Sequence, residues 1–149
     1  MSHARSLAHQ ILKQGWMMRE INRIVVHHSG GPNDQTPENI RRFHVDTRGW
    51  ADIGYHFLIT HDGRVHRGRD WKVVGAHAQG HNADSIGVCV IGDNTRPGYD
   101  WRPVQKDALR VLLDTLHAMW PDAEIVGHKD LRDTLCPGVE VNEIYEVPE

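Results

Sequence analysis

The octet SIGVCVIG, Ser85–Gly92, limits the fold more than any other stretch of this chain. It is apolar, rich in β-branched residues and bounded by polar loops. It is also too short to be a core helix. Such a run fits a strand buried in the middle of a sheet, not one with a wetted face. Two further runs, RIVVHHS (23–29) and AEIVGH (123–128), also read as strands, and both carry histidine at or near their ends. GYHFLITHDGRVHRGR (54–69) reads as two strands around Asp62-Gly63, a favoured hairpin turn. Thr36 is placed to cap a helix with Pro37 at its first position and Glu38 next, running through ENIRRFHV (38–45). From Pro103 to Met119 the apolar residues Val104, Ala108, Val111, Leu112, Leu116 and Met119 recur at helical spacing. The expected fold is α/β, a single domain with a central mixed β-sheet flanked by helices.

Residues 1–18 read as an extension to a domain that spans 19–149. Within it SLAHQILKQ (6–14) has the pattern of a short helix, with Leu7, Ile11 and Leu12 on one side and Gly15 as a stop. The N-terminus is too polar for a secretory signal, so the chain is expected to start in the cytoplasm. No apolar run approaches the roughly 18 residues that span a bilayer. A formal charge of -3 gives no electrostatic reason to expect nucleic acid or a membrane surface as partner. The 149 residues suffice for one domain with a real core, and the expected state is a monomer.

Cys89 and Cys136 do not make a disulfide framework, and each is a free thiol or a ligand. The unusual count is histidine, with 12 copies. Imidazole titrates near neutrality and ligates zinc, so these residues either make a wet, titratable surface or build a site. His27 lies near the end of one expected strand and His128 at the end of another. Cys136 lies eight residues beyond His128, in GHKDLRDTLCPG (127–138). Two histidines and a cysteine on rigid supports are one way to hold zinc with a position left for water. The spacing alone leaves two rivals open: ordinary packing, and a Cys136 thiolate nucleophile activated by His128. Cys89, inside its apolar run, reads as core.

Four stretches in order, IVVHHS, GWADIGYHFLITHDGRVHRGR, VVGAHAQGHNADSIGVCVIG and GHKDLRDTLCPG, resemble the type 2 N-acetylmuramoyl-L-alanine amidases. That family includes small phage endolysins and the animal peptidoglycan recognition proteins. The resemblance runs from about Ile24 to Gly138, nearly the whole chain apart from its ends. It implies the peptidoglycan recognition protein/amidase type 2 fold. It also implies hydrolysis of the amide between N-acetylmuramic acid and the L-alanine of the stem peptide.

Carried over residue by residue, the resemblance makes His27, His128 and Cys136 the ligands of one zinc ion per chain. Tyr55 matches the family's active-site tyrosine. Thr134 stands where phage members often have lysine and recognition-protein amidases have threonine. It can donate a hydrogen bond but brings no charge. His28 stands where phage relatives can have cysteine. His44, His77 and Asn82 match positions that line the peptidoglycan groove, although His44 could equally cap the preceding helix. Trp50 and Trp71 either stack on sugars or fill the core. Asp130 either orients His128 or caps the following loop.

The resemblance points to a phage or prophage endolysin made in the host cytoplasm and acting on the periplasmic wall, with bacterial peptidoglycan as partner. Such a lysin needs a holin to permeabilise the membrane. Contact with the phage's own RNA polymerase, known for some amidases of this shape, is a further candidate. A muropeptide-recycling amidase and a non-catalytic peptidoglycan-binding module are the alternatives.

Overall fold

The computed structural model describes residues 19–148. The helix expected at 6–14 and the extension 1–18 lie outside the described residues. The strands are β1 (Arg23–His28), β2 (Phe57–Ile59), β3 (Val65–Arg67), β4 (Ser85–Val90) and β5 (Glu124–Gly127). They form one sheet in the order β3-β2-β4-β1-β5. β4 pairs in parallel with both β1 and β2, and β1 in parallel with β5, so β3 at one edge is the antiparallel member. The octet that opens the sequence argument becomes β4, buried at every position, because it has a strand on each side and packing on both faces.

Alternation along the strands divides the sheet into two unlike faces. Ile24 and Val26 of β1, Ile59 of β2 and Ile86, Val88 and Val90 of β4 pack against α2 (Pro103–Met119) in the larger core. The other face carries His27, Leu58, Ser85, Gly87 and Cys89, beneath α1 (Pro37–Arg42) and the long loops.

Thr36 caps α1 as expected. Its hydroxyl accepts from the Asn39 N–H, and the Asn39 side chain accepts from the Thr36 N–H, each at 3.1 Å. The helix then loosens into a π turn over Phe43–Thr47. The hairpin is present, with Gly63 at φ 82°, a conformation glycine adopts at little cost.

α2 forms where expected, but its buried face differs from the one read in the sequence. Gln105, Leu109, Leu112, Leu113 and Leu116 are buried, whereas Val104, Val111 and Met119 are 42%, 67% and 44% exposed. The helix offers two apolar stripes about one residue, or roughly 100°, apart. The leucine-rich stripe faces the sheet, and each fully buried leucine contributes about 2 kcal/mol. Gln105 shares that face because its amide is satisfied. It donates to the Ile91 carbonyl at 2.8 Å and accepts from the Arg102 N–H at 2.9 Å.

Candidate metal centre

Three chain segments converge beyond the ends of β1 and β5. His27 is the penultimate residue of β1 and only 1% exposed. His128 begins a short 3-10 turn directly after β5. Cys136 arrives on the following loop, where the Cys136-Pro137 peptide is cis. One ligand atom from each of His27, His128 and Cys136 falls in a group whose members all lie within 4.8 Å of one another. The Cys136 sulfur is 3.7 Å from His27 Nδ1, although the two residues stand 109 apart in sequence.

Backbone hydrogen bonds hold the cysteine loop closed. The Lys129 N–H donates to the Cys136 carbonyl at 2.7 Å, and the Cys136 N–H donates to the Thr134 hydroxyl oxygen at 3.3 Å. Asn94 clamps the loop to the end of β4. Its amide donates to the Pro137 carbonyl at 2.8 Å, while its oxygen accepts from the Trp101 N–H at 2.9 Å. Its own N–H donates to His28 Nδ1 at 3.2 Å. His28 is thereby an anchor for the loop, and Asn94 is a site residue that sequence reasoning missed.

The donor chemistry suits a borderline metal such as zinc. Burial, and secondarily the neighbouring His77, His128 and His28, hold His27 well below the usual imidazole range, so the ring is neutral. Burial followed by Arg132 and His81 lowers His128. His128 Nε2 is buried and has no hydrogen-bond partner, as expected of a nitrogen meant for a ligand. Burial pushes the Cys136 thiol up to about 11, opposed in part by its contact with the His28 carbonyl at 3.7 Å. A nucleophilic cysteine needs the opposite shift. A bound cation would supply it, since metal binding deprotonates a thiol outright.

Of the remaining expected residues, Tyr55 and His77 lie against His27. The Tyr55 ring is 5.2 Å from that of His27, and burial, then the Cys89 and Cys136 thiols, raise its phenol well above the usual value. Cys89 is fully buried as expected, and it backs Tyr55 from β4. His44 is buried, with its ring 4.6 Å from Trp50 and 5.7 Å from Tyr55. His44 Nδ1 accepts from the Gly54 N–H at 2.9 Å, so it braces a loop. Burial, then Arg48 and Arg69, lower its pKa to about 4.

Asn82 turns its oxygen to the N–H groups of His77 and Ala78, at 2.9 and 2.8 Å. His77 points inward, with its Nδ1 2.9 Å from His27 Nε2. Asp130 accepts from the Gly127 N–H at 2.8 Å and so caps the turn that carries His128. Trp71 packs on the larger core, edge-on to Trp120 at 5.2 Å. Trp50 belongs to neither core and lies half-buried between His44 and the Arg48 guanidinium.

A parallel-centred sheet thus carries, at its strand ends, a His-His-Cys group that could hold a metal ion. Comparison with known proteins makes the class specific. The family model described as N-acetylmuramoyl-L-alanine amidase matches residues 17–139. The endolysin of Klebsiella phage KP32 is 36% identical over 133 residues, covering 86% of this chain and 87% of that protein. The endolysin of Escherichia phage T7 is 40% identical over 110 residues, covering 72% of each. Among solved structures, the Ph2119 endolysin from the Thermus scotoductus MAT2119 bacteriophage superposes with a TM-score of 0.78 at 32% identity, covering 90% of this chain and 94% of that one. The chain belongs to the type 2 N-acetylmuramoyl-L-alanine amidase family and is a peptidoglycan amidase.

Proposed function

We propose that this chain is a zinc-dependent endolysin that cleaves the amide between N-acetylmuramic acid and L-alanine of the stem peptide. The observation that carries the zinc assignment is the convergence of one ligand atom each from His27, His128 and Cys136 within 4.8 Å of one another. Zinc held by His27, His128 and Cys136 would supply Lewis acidity to the reaction.

The chain's own residues supply the rest. The Tyr55 phenol keeps its proton and can donate to the oxyanion that develops on the scissile carbonyl. The Thr134 oxygen already accepts from the Cys136 N–H, which leaves its O–H to donate one neutral hydrogen bond. With Nδ1 accepting from Gly54, neutral His44 carries its proton on Nε2 and offers that N–H to a stem-peptide carbonyl. The Asn82 amide nitrogen is its remaining donor. Among the described residues no helix is long and apolar enough to cross a membrane, and a holin is the proposed route to the periplasmic wall. The lytic role is supported by the relatives named endolysin.

The test is zinc content by elemental analysis, with hydrolysis of intact sacculi assayed before chelation, after it, and after zinc add-back. One zinc per chain with reversible loss of activity is expected. A metal-free protein that still cleaves would overturn the assignment. Tyr55→Phe should retain zinc while turnover falls by about 10²-fold, and unchanged turnover would remove Tyr55 from the reaction.

A further inference from the structure

The ring of His77 has internal partners for both of its nitrogens. Nδ1 lies 2.9 Å from His27 Nε2, and Nε2 lies 3.1 Å from the Ser85 hydroxyl. A groove residue would leave at least one nitrogen for its ligand, and His77 leaves none. We propose that His77, backed by Ser85, is a positioning residue that fixes the tautomer and ring orientation of His27 for metal capture. This inference rests on the zinc assignment above.

The direction of the relay follows from proton accounting. His27 faces Cys136 through Nδ1 and His77 through Nε2. An imidazole that ligates a metal carries its one proton on the nitrogen turned away from the metal. For His27 to present a bare Nδ1 to a metal, its proton must sit on Nε2, from which it donates to His77 Nδ1. The proton of His77 then sits on Nε2 and is donated to Ser85. Both nitrogens of His77 are then matched, Nδ1 as acceptor and Nε2 as donor. In the reverse arrangement His27 would hold its proton on the nitrogen that faces the cysteine.

The surrounding sequence makes sense only with that ring in place. Ser85, Gly87 and Cys89 are the alternate residues of β4 on the site face, and all three are small. A glycine in the centre of a buried strand costs roughly 0.5–1 kcal/mol against alanine. Here a Cβ on Gly87 would come within 2.5 Å of the His77 ring. The ring therefore rests on bare backbone, beside the Ser85 hydroxyl. From above, Asn82 holds the His77 backbone N–H. Arg19 ties the same loop down, donating to the carbonyls of Trp71, Ala83 and Ser85 at 2.7, 3.1 and 3.2 Å.

The experiment measures zinc affinity of the full chain by competition with a chelator, beside the imidazole nitrogen spectrum of the metal-free wild type. His77→Ala should weaken zinc binding by roughly 10–100-fold. His77→Asn, which can put an acceptor near the place of Nδ1, should restore affinity to within about threefold of wild type, a rescue that a space-filling role would not give. Ser85→Ala should fall between them. The metal-free spectrum should show His27 protonated at Nε2. Wild-type zinc binding with unchanged affinity in His77→Ala, or a His27 proton on Nδ1, would overturn the relay and leave the metal site standing. A wild type that binds no zinc would overturn the metal site itself, and the relay with it.

Discussion

The two faces of the sheet are built from the same strands to opposite specifications. Facing α2, β1 and β4 present Ile24, Val26, Ile86, Val88 and Val90, which bury large apolar groups against leucines. One residue along, the same strands present His27, Ser85, Gly87 and Cys89, which are polar or small and leave room for imidazole rings. The first face gains stability from area removed from water. The second holds several buried polar groups, each needing a partner, and their hydrogen bonds fix a geometry more than they add stability. The comparison teaches that a residue's strand parity decides which kind of damage its loss causes.

Mutations and pH can break that division or sharpen it. The largest effect is expected for Cys136→Ser, because a serine hydroxyl is a poor zinc ligand. Zinc and sacculus hydrolysis should both be lost, the latter by at least about 10³-fold, while thermal unfolding moves little. A collapse of the fold in that variant would show the site face to be structural after all. Next comes Leu113→Ala on the α2 face, expected to cost about 3 kcal/mol in denaturant unfolding. Its zinc content per folded molecule should stay at the wild-type value, and loss of metal at full stability would erase the contrast between the faces.

Acid should separate the faces without mutation. Burial lowers His44 and His56 to about 4, against 6.5 in the unfolded chain. Between those values the unfolded chain binds more protons, so stability is fully present above about pH 6.5 and declines as pH falls toward 4. The loss should be about 3 kcal/mol per ring by pH 4, read as a falling denaturant midpoint. A flat profile across that window would contradict the buried neutral state of the rings. The smallest effect is expected for Val111→Ala. Val111 is exposed on α2, so stability should change by less than about 0.5 kcal/mol.

Much of this division was legible in the sequence. The β4 octet, the strand endings that hold His27 and His128, the Thr36 cap and the Asp62-Gly63 turn are local patterns, and each is found where local chemistry puts it. The face of α2 was misread because adjacent apolar stripes compete. Only the sheet decides between Val104, Val111 and Met119 on one side and Leu109 and Leu113 on the other. His27, His128 and Cys136 could be singled out because strand ends and a family resemblance mark them.

The supports of the site were less visible. Asn94 sits in an unremarkable polar loop, and its clamp on Pro137 exists only in three dimensions. The inward turn of His77 had one trace in the sequence, a lone glycine at position 87 in an otherwise β-branched run. An isolated strand glycine marks a close approach, but it does not say by what.

The sequence separation of 109 between His27 and Cys136 bears on timing. A chain still under synthesis carries His27 long before Cys136 exists. Contacts of such separation form late, after most of the loop-closure entropy has been overcome. With the proposed donor set, a metal would find all three ligands only after β1 and the segment following β5 have come together.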